Sequence, residues 1–261
     1  MASHVSLGEL KTYLGNFVSN DISEPEFSDI TLQKDLDQQA LKIKGAWKYK
    51  PTSLPTPTGS KETPTWLDLL LEMLTLDAVA AKILARQGAR KFGVKQRQAQ
   101  IYLEFAKYRF DAFNVGRLTP AILAYIKGKP IDTTSFLDTD DKLLTSHSIN
   151  FTVKPSSRPN IDQVTRFCLR ESAWIRAIAL SRGFETTKSN LSSDQLAAYQ
   201  LLLTSLVAPQ IARINLSYYK DVYDEELGTS LLDTNPANIY SAVKQLNELE
   251  KGKNYTPIFL L

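Results

Sequence analysis

Cysteine occurs once in this chain, at Cys168, and histidine twice, at His4 and His147. A single cysteine excludes an intrachain disulfide. Two histidines, one near the N-terminus and one in an expected loop, supply neither a histidine-based triad nor a multi-histidine metal site. Cys168, in Phe167-Cys168-Leu169-Arg170, is read as a core thiol on an inward helix face, because no histidine stands near it. The phosphate-cradling, dinucleotide-binding and nucleophile-elbow strings G-x-x-x-x-G-K-[ST], G-x-G-x-x-G and G-x-S-x-G do not occur. The acidic run Asp138-Thr139-Asp140-Asp141 lacks the glycine of a calcium loop and has Ile149 where the bidentate glutamate belongs. Asp221, Asp224, Glu225 and Glu226 read as a solvated helix end. These absences point away from an enzyme, and no metal or cofactor is expected.

Long charge-free hydrophobic runs are missing too. The most apolar stretch, residues 66–85, is long enough to span a bilayer but carries Asp68, Glu72, Asp77 and Lys82 at four- or five-residue intervals. It reads as a buried helix of a globular core, and no membrane partner is expected. The opening MASHVSLGELKTYLG lacks the basic-then-apolar layout of a secretory signal, so a reducing compartment is expected and the Asn-x-Ser/Thr matches are read as chance. With 43% hydrophobic residues, 261 residues can bury a sizeable core.

Helix punctuation is plentiful. Ser6 with Glu9, and Ser192 with Gln195, form capping-box patterns ahead of apolar-periodic runs. Thr119-Pro120 and Asn235-Pro236 place proline at a first helical position, where its missing amide hydrogen does no harm. Gly88, Gly183, Gly228 and Gly252 follow periodic runs as helix-closing residues. The pattern predicts helices near 6–18, 28–44, 66–87, 95–115, 120–127, 136–145, 160–182, 193–207, 209–227 and 236–250. Segments 41–49 and 148–153 are ambiguous between strand and other structure.

The expected fold is therefore mainly α with little or no β: a two-lobed helical core with extended N-terminal and C-terminal arms. Residues 1–65 form an N-terminal arm ending in a Pro/Thr linker, since residues 50–65 hold four prolines and five threonines and few apolar side chains. Residues 66–250 form the core, with lobes near 66–150 and 156–250. Residues 251–261 form a C-terminal arm whose Tyr255, Ile258, Phe259, Leu260 and Leu261 would leave an apolar patch uncovered in a lone monomer. Either the tail folds back on its own subunit or it docks into a neighbour.

Positive charge is concentrated. Between Lys82 and Lys129 eleven basic residues face two acidic ones, a net of +9, while the whole chain carries only +3. The rest of the chain therefore sums to −6. Such segregation marks a polyanion-binding surface. Arg86, Arg90, Lys91, Lys95 and Arg97 are interleaved with Phe92 and glutamines, which suits phosphate neutralisation, neutral hydrogen bonding and base stacking along a single strand. Arg109 flanks the apolar stripe of its helix beside Tyr102, placed either to reach a phosphate or to pair with a carboxylate. Arg117 extends the series. A second, arginine-only set, Arg158, Arg166, Arg170, Arg176 and Arg182, has Arg166 and Arg170 one turn apart, and both sets lining one cleft would hold a strand.

Residues 105–120, FAKYRFDAFNVGRLTP, resemble the pattern L-A-R-Y-A-F-D-F-Y-x-x-x-x-R-T-P of potyvirus-like flexuous filamentous plant-virus coat proteins. Lys91-Phe92-Gly93-Val94 looks like that family's R-Y-G-L, Val79 to Arg86 like its A-E-A-Y-I-x-x-R, and Pro64-Thr65 falls near its P-T-L-R. The resemblance lies within residues 64–120 and implies a helical core with arms that link subunits along an RNA-filled helix, a plan shared by helical RNA-virus nucleoproteins. It implies RNA contact for Asp111, which matches the family's aspartate; Leu67 or Asp68 stands where its arginine belongs. Residues 121–261 follow the block here, whereas in the family it lies near the C-terminal end.

The expectation is thus a viral coat protein or nucleoprotein, located in the virion and host cytoplasm. Its partners would be single-stranded RNA, bound without sequence preference, and further copies of itself. The competing reading is a cytosolic helical interaction scaffold with a basic partner-binding face.

Overall fold

The computed structural model describes residues 5–14, 28–47, 54, 63–91, 106–138 and 159–218, apart from the side chains of 84–91, 209 and 212–218. Their regular elements are α1 (Leu7–Leu14), α2 (Asp29–Ala46), α3 (Trp66–Lys91), a helical segment at 106–114, α4 (Thr119–Ile126), α5 (Ile161–Ser181), a short 3-10 turn (Lys188–Asn190) and α6 (Ser193–Tyr218). No strand occurs among the described residues, so the mainly α expectation holds.

Local chemistry sets the helix starts. The Ser6 amide donates to the Glu9 carboxylate while the Glu9 amide donates to Ser6 Oγ, the reciprocal pair expected from the sequence. Ser192 and Gln195 do the same for α6, Asn160 and Gln163 for α5, and Thr65 and Asp68 for α3. Gly183, at φ +83°, ends α5, and the Phe184 amide donates back to the Ala179 carbonyl.

Helix α3 is the centre. From Trp66 to Asp77 every side chain is buried, the mark of a helix surrounded by others. It packs against α1, α2 and α5, while α5 in turn packs against α4 and α6. The Trp66 indole donates to the Ala173 carbonyl at 3.0 Å, fixing α3 against α5. No described helix is long and apolar enough to cross a membrane.

Several boundaries differ from expectation. Residues 41–46 complete α2, which Trp47 caps. Helix α3 continues through Gly88 to Lys91. Helix α6 runs unbroken through Pro209, where the proline forgoes one backbone hydrogen bond without ending the helix. Residues 136–138 are not helical: Phe136 and Leu137 turn inward, and their amides donate to Ser172 Oγ and Ser135 Oγ.

Buried apolar side chains from Val5 to Ile211 form one cluster, so the stretches expected as two lobes meet across α3 and α5. Within the expected N-terminal arm, α1 and α2 lie against α3; Leu10, Tyr13 and Leu14 of α1 and Leu32, Leu36 and Ile43 of α2 belong to the cluster.

Candidate nucleic-acid interface

The densest part of the basic stretch, residues 86–97, begins on the last turns of α3 and is followed in sequence by the 106–114 segment. Arg109 ties the two together. Arg109, wholly enclosed, places Nη1 2.7 Å from Asp77 Oδ2 on α3 and Nη2 2.5 Å from Glu171 Oε2 on α5. The Tyr13 hydroxyl of α1 donates to the second Asp77 oxygen at 2.6 Å, and the Gln210 amide of α6 donates to the second Glu171 oxygen. The guanidinium also lies 5.2 Å from the centre of the Trp174 ring. Five helical segments therefore converge on one buried charge cluster.

Its electrostatics follow from composition: two carboxylates and one guanidinium in the packed interior. Burial by itself would lower the Arg109 pKa, but the Asp77 and Glu171 charges outweigh it and hold the group above its ordinary value. Burial pushes the Glu171 carboxyl up to about 7; Arg109 opposes this and the Asp77 charge adds to it. The Cys168 thiol is raised by burial, and then by the Glu171 charge, to about 12, which leaves it an inert core group as its sequence context suggests.

A second cluster neutralises the arginine pair of α5. Arg170 Nε lies 2.9 Å from Glu72 Oε2, Arg166 also binds Glu72, and Arg170 reaches Glu9 of α1 at 3.4 Å. A third holds Arg176, which donates to the carbonyls of Thr186 and Thr134 and to Asp132, with its guanidinium 4.2 Å from the centre of the Phe136 ring. Phe136 in turn stacks on Tyr199 at 4.7 Å.

These partners decide the role of each arginine. For Arg109 the structure gives the carboxylate pair of its two expected roles. The helix is accordingly turned so that Arg109 itself points inward with Ala106, Ala112 and Phe113, while Phe110 is only partly covered. Arg170 is buried on Glu72, and Arg166, largely covered, binds the same carboxylate. Asp111 and Arg117 are exposed, Arg117 on the turn that Gly116 makes at φ +84° beside the exposed Val115. Arg86, Arg90 and Lys91 lie on the last turns of α3, where cations also favour the helix dipole; their side chains fall outside the described atoms. Phe92, Lys95, Arg97, Tyr102, Arg158, Tyr255, Ile258, Phe259, Leu260 and Leu261 lie outside the described residues. No group of metal-ligating side chains occurs among the described residues.

Sequence reading missed the acidic half of this framework. The signal was present in two places: a helix apolar on all sides that still carried Glu72 and Asp77, and an arginine-only series on another apolar helix. Each set of buried charges requires the other. Compared with known protein families, curated proteins and solved structures, the chain matches none.

Proposed function

We propose that this protein is a viral coat protein or nucleoprotein that binds single-stranded RNA without sequence preference and polymerises into a helical nucleoprotein filament. The observation that supports this reading is the separation of its positive charge into two populations. Arginines of the core are consumed by partners within the fold, Arg109 and Arg170 by buried carboxylates and Arg176 by half-buried Asp132 and backbone carbonyls. The excess of the 82–129 segment therefore resides mainly in its other cations, of which Lys107, Arg117, Lys127 and Lys129 are exposed.

In this reading Arg86, Arg90, Lys91, Lys95, Arg97 and Arg117 hold phosphates, Phe92 or Tyr102 stacks a base, and Asp111 sits at the rim of the same surface. Arg109, Arg166 and Arg170 hold the frame that presents them. The apolar C-terminal residues Tyr255 and Ile258 to Leu261 dock onto a neighbouring copy.

The test is the ultraviolet spectrum, negative-stain appearance and nuclease sensitivity of freshly purified protein. Co-purifying RNA protected from nuclease within filaments is the expected result. Nucleic-acid-free monomers or small closed oligomers that fail to bind added single-stranded RNA would favour the interaction-scaffold reading instead.

A further inference from the structure

The Asp77–Arg109–Glu171 cluster carries one more negative than positive charge, and all three side chains are buried. The described groups that face Glu171 come from α1, α3, the 106–114 segment, α5 and α6. Arg109 approaches from the 106–114 segment, Asp77 from α3, and Tyr13 from α1 through its hydroxyl on Asp77. Gln210 approaches from α6, and Cys168, a neutral thiol, from α5 itself. The nearby Arg170 is directed to Glu72 and Glu9. Tyr13 and Gln210 donate hydrogen bonds but bring no charge. One bound proton makes this set of groups neutral, and Glu171, with no exposure, is its most enclosed carboxyl.

We propose that this cluster is a proton-operated clamp on the two helices that flank the basic stretch. With Glu171 protonated on Oε1, and the Gln210 amide turned so that its own oxygen, buried without a partner, accepts that proton, the cluster is neutral and Arg109 holds α3, α5 and the 106–114 segment together. With Glu171 ionised, two carboxylates share one guanidinium in the packed core, and their repulsion weakens the junction. The clamp does not depend on what the basic stretch binds. Its sign follows from linkage: the folded-state pKa, about 7, lies above the ordinary carboxyl value, so the stabilisation is complete at low pH and is lost as pH rises through about 7.

The test is thermal unfolding of the full chain and of Glu171→Gln, a neutral replacement of the same shape, across about pH 5 to 8. The melting temperature of the unmodified protein should fall over this interval by on the order of 5–10 °C more than that of the variant. Hydrogen-exchange protection of residues 106–114, corrected for intrinsic rates, should fall with it in the unmodified protein only. Parallel pH profiles for the two proteins would overturn the clamp. Should the variant fail to fold, calorimetry of the unmodified protein near pH 6 in buffers of different ionisation enthalpy reads the same property. Release of about one proton on unfolding, beyond the contribution of ordinary histidines, is expected, and release of none overturns the proposal. RNA binding enters neither measurement, so the clamp and the nucleoprotein reading stand or fall separately.

Discussion

Arg109 and Asp77 meet at 2.7 Å in the packed interior and tie the helix that leads into the basic stretch to the helix that follows it. Removing the guanidinium strands Asp77 and Glu171 against each other. Arg109→Ala should therefore lose about 3–5 kcal/mol of stability in urea unfolding, the range for a buried pair deprived of one partner. Arg109→Lys keeps the charge but cannot fork to two carboxylates, so its loss should be smaller and still measurable. A near-neutral alanine variant would contradict the placement.

Glu72 serves two arginines at once. Glu72→Gln takes the nearest carboxylate charge from Arg170, 3% exposed, and leaves it the longer ion pair to Glu9, so a loss of about 2–4 kcal/mol is expected. A double-mutant cycle with Arg170→Met should return a coupling above about 1 kcal/mol, because the methionine removes the charge that the glutamine leaves unpaired. Additive single effects would show that the two side chains do not share a site.

What the sequence made legible was whatever depends on neighbours along the chain. Capping boxes at Ser6 and Ser192, the helix close at Gly183 and the burial of the apolar stretch that begins at Trp66 are all local or periodic signals, and each is present in the fold. Partners distant in sequence were not legible. Arg109 and Glu171 are 62 residues apart, and Arg166 and Glu72 are 94 apart, so periodicity could identify the charges but not pair them. The pairing of Arg166 and Arg170 with Glu72 was not legible for that reason. Gly88 and Pro209 misled in another way: the backbone stays helical through both, at costs of about 1 and about 3 kcal/mol relative to alanine that the rest of each long helix offsets.

Asp132 pins the 129–138 loop to the segment after α5. Partial burial pushes its carboxyl up, but hydrogen bonds from the Thr134 and Lys188 amides and the charge of Arg176 prevail and hold it below the ordinary value. Such a group contributes stability above its unfolded pKa and loses it as pH falls through the folded one. Asp132→Asn should thus destabilise by about 1–2 kcal/mol at neutral pH, and the difference should shrink as pH falls below the ordinary aspartate range. A pH-independent difference in chemical denaturation would contradict the ionic part of that contact.

The C-terminal residues provide a separate test of assembly. Deleting residues 254–261 should shift the size distribution in light scattering toward smaller species while far-ultraviolet circular dichroism stays helical. An unchanged distribution would remove this segment from the subunit contact.

The most direct measurement is the salt dependence of single-stranded RNA binding, compared in one filter assay among the unmodified protein, Lys95→Ala/Arg97→Ala and Arg109→Lys. Six cations on phosphates, Arg86, Arg90, Lys91, Lys95, Arg97 and Arg117, give an expected log–log slope of about −4, and the double variant should be shallower by about 1.4. Arg109→Lys should keep the parental slope, because its charge faces Asp77 and Glu171. A parental slope near zero, or an Arg109 variant as shallow as the double one, would contradict the division between framework arginines and RNA-binding cations.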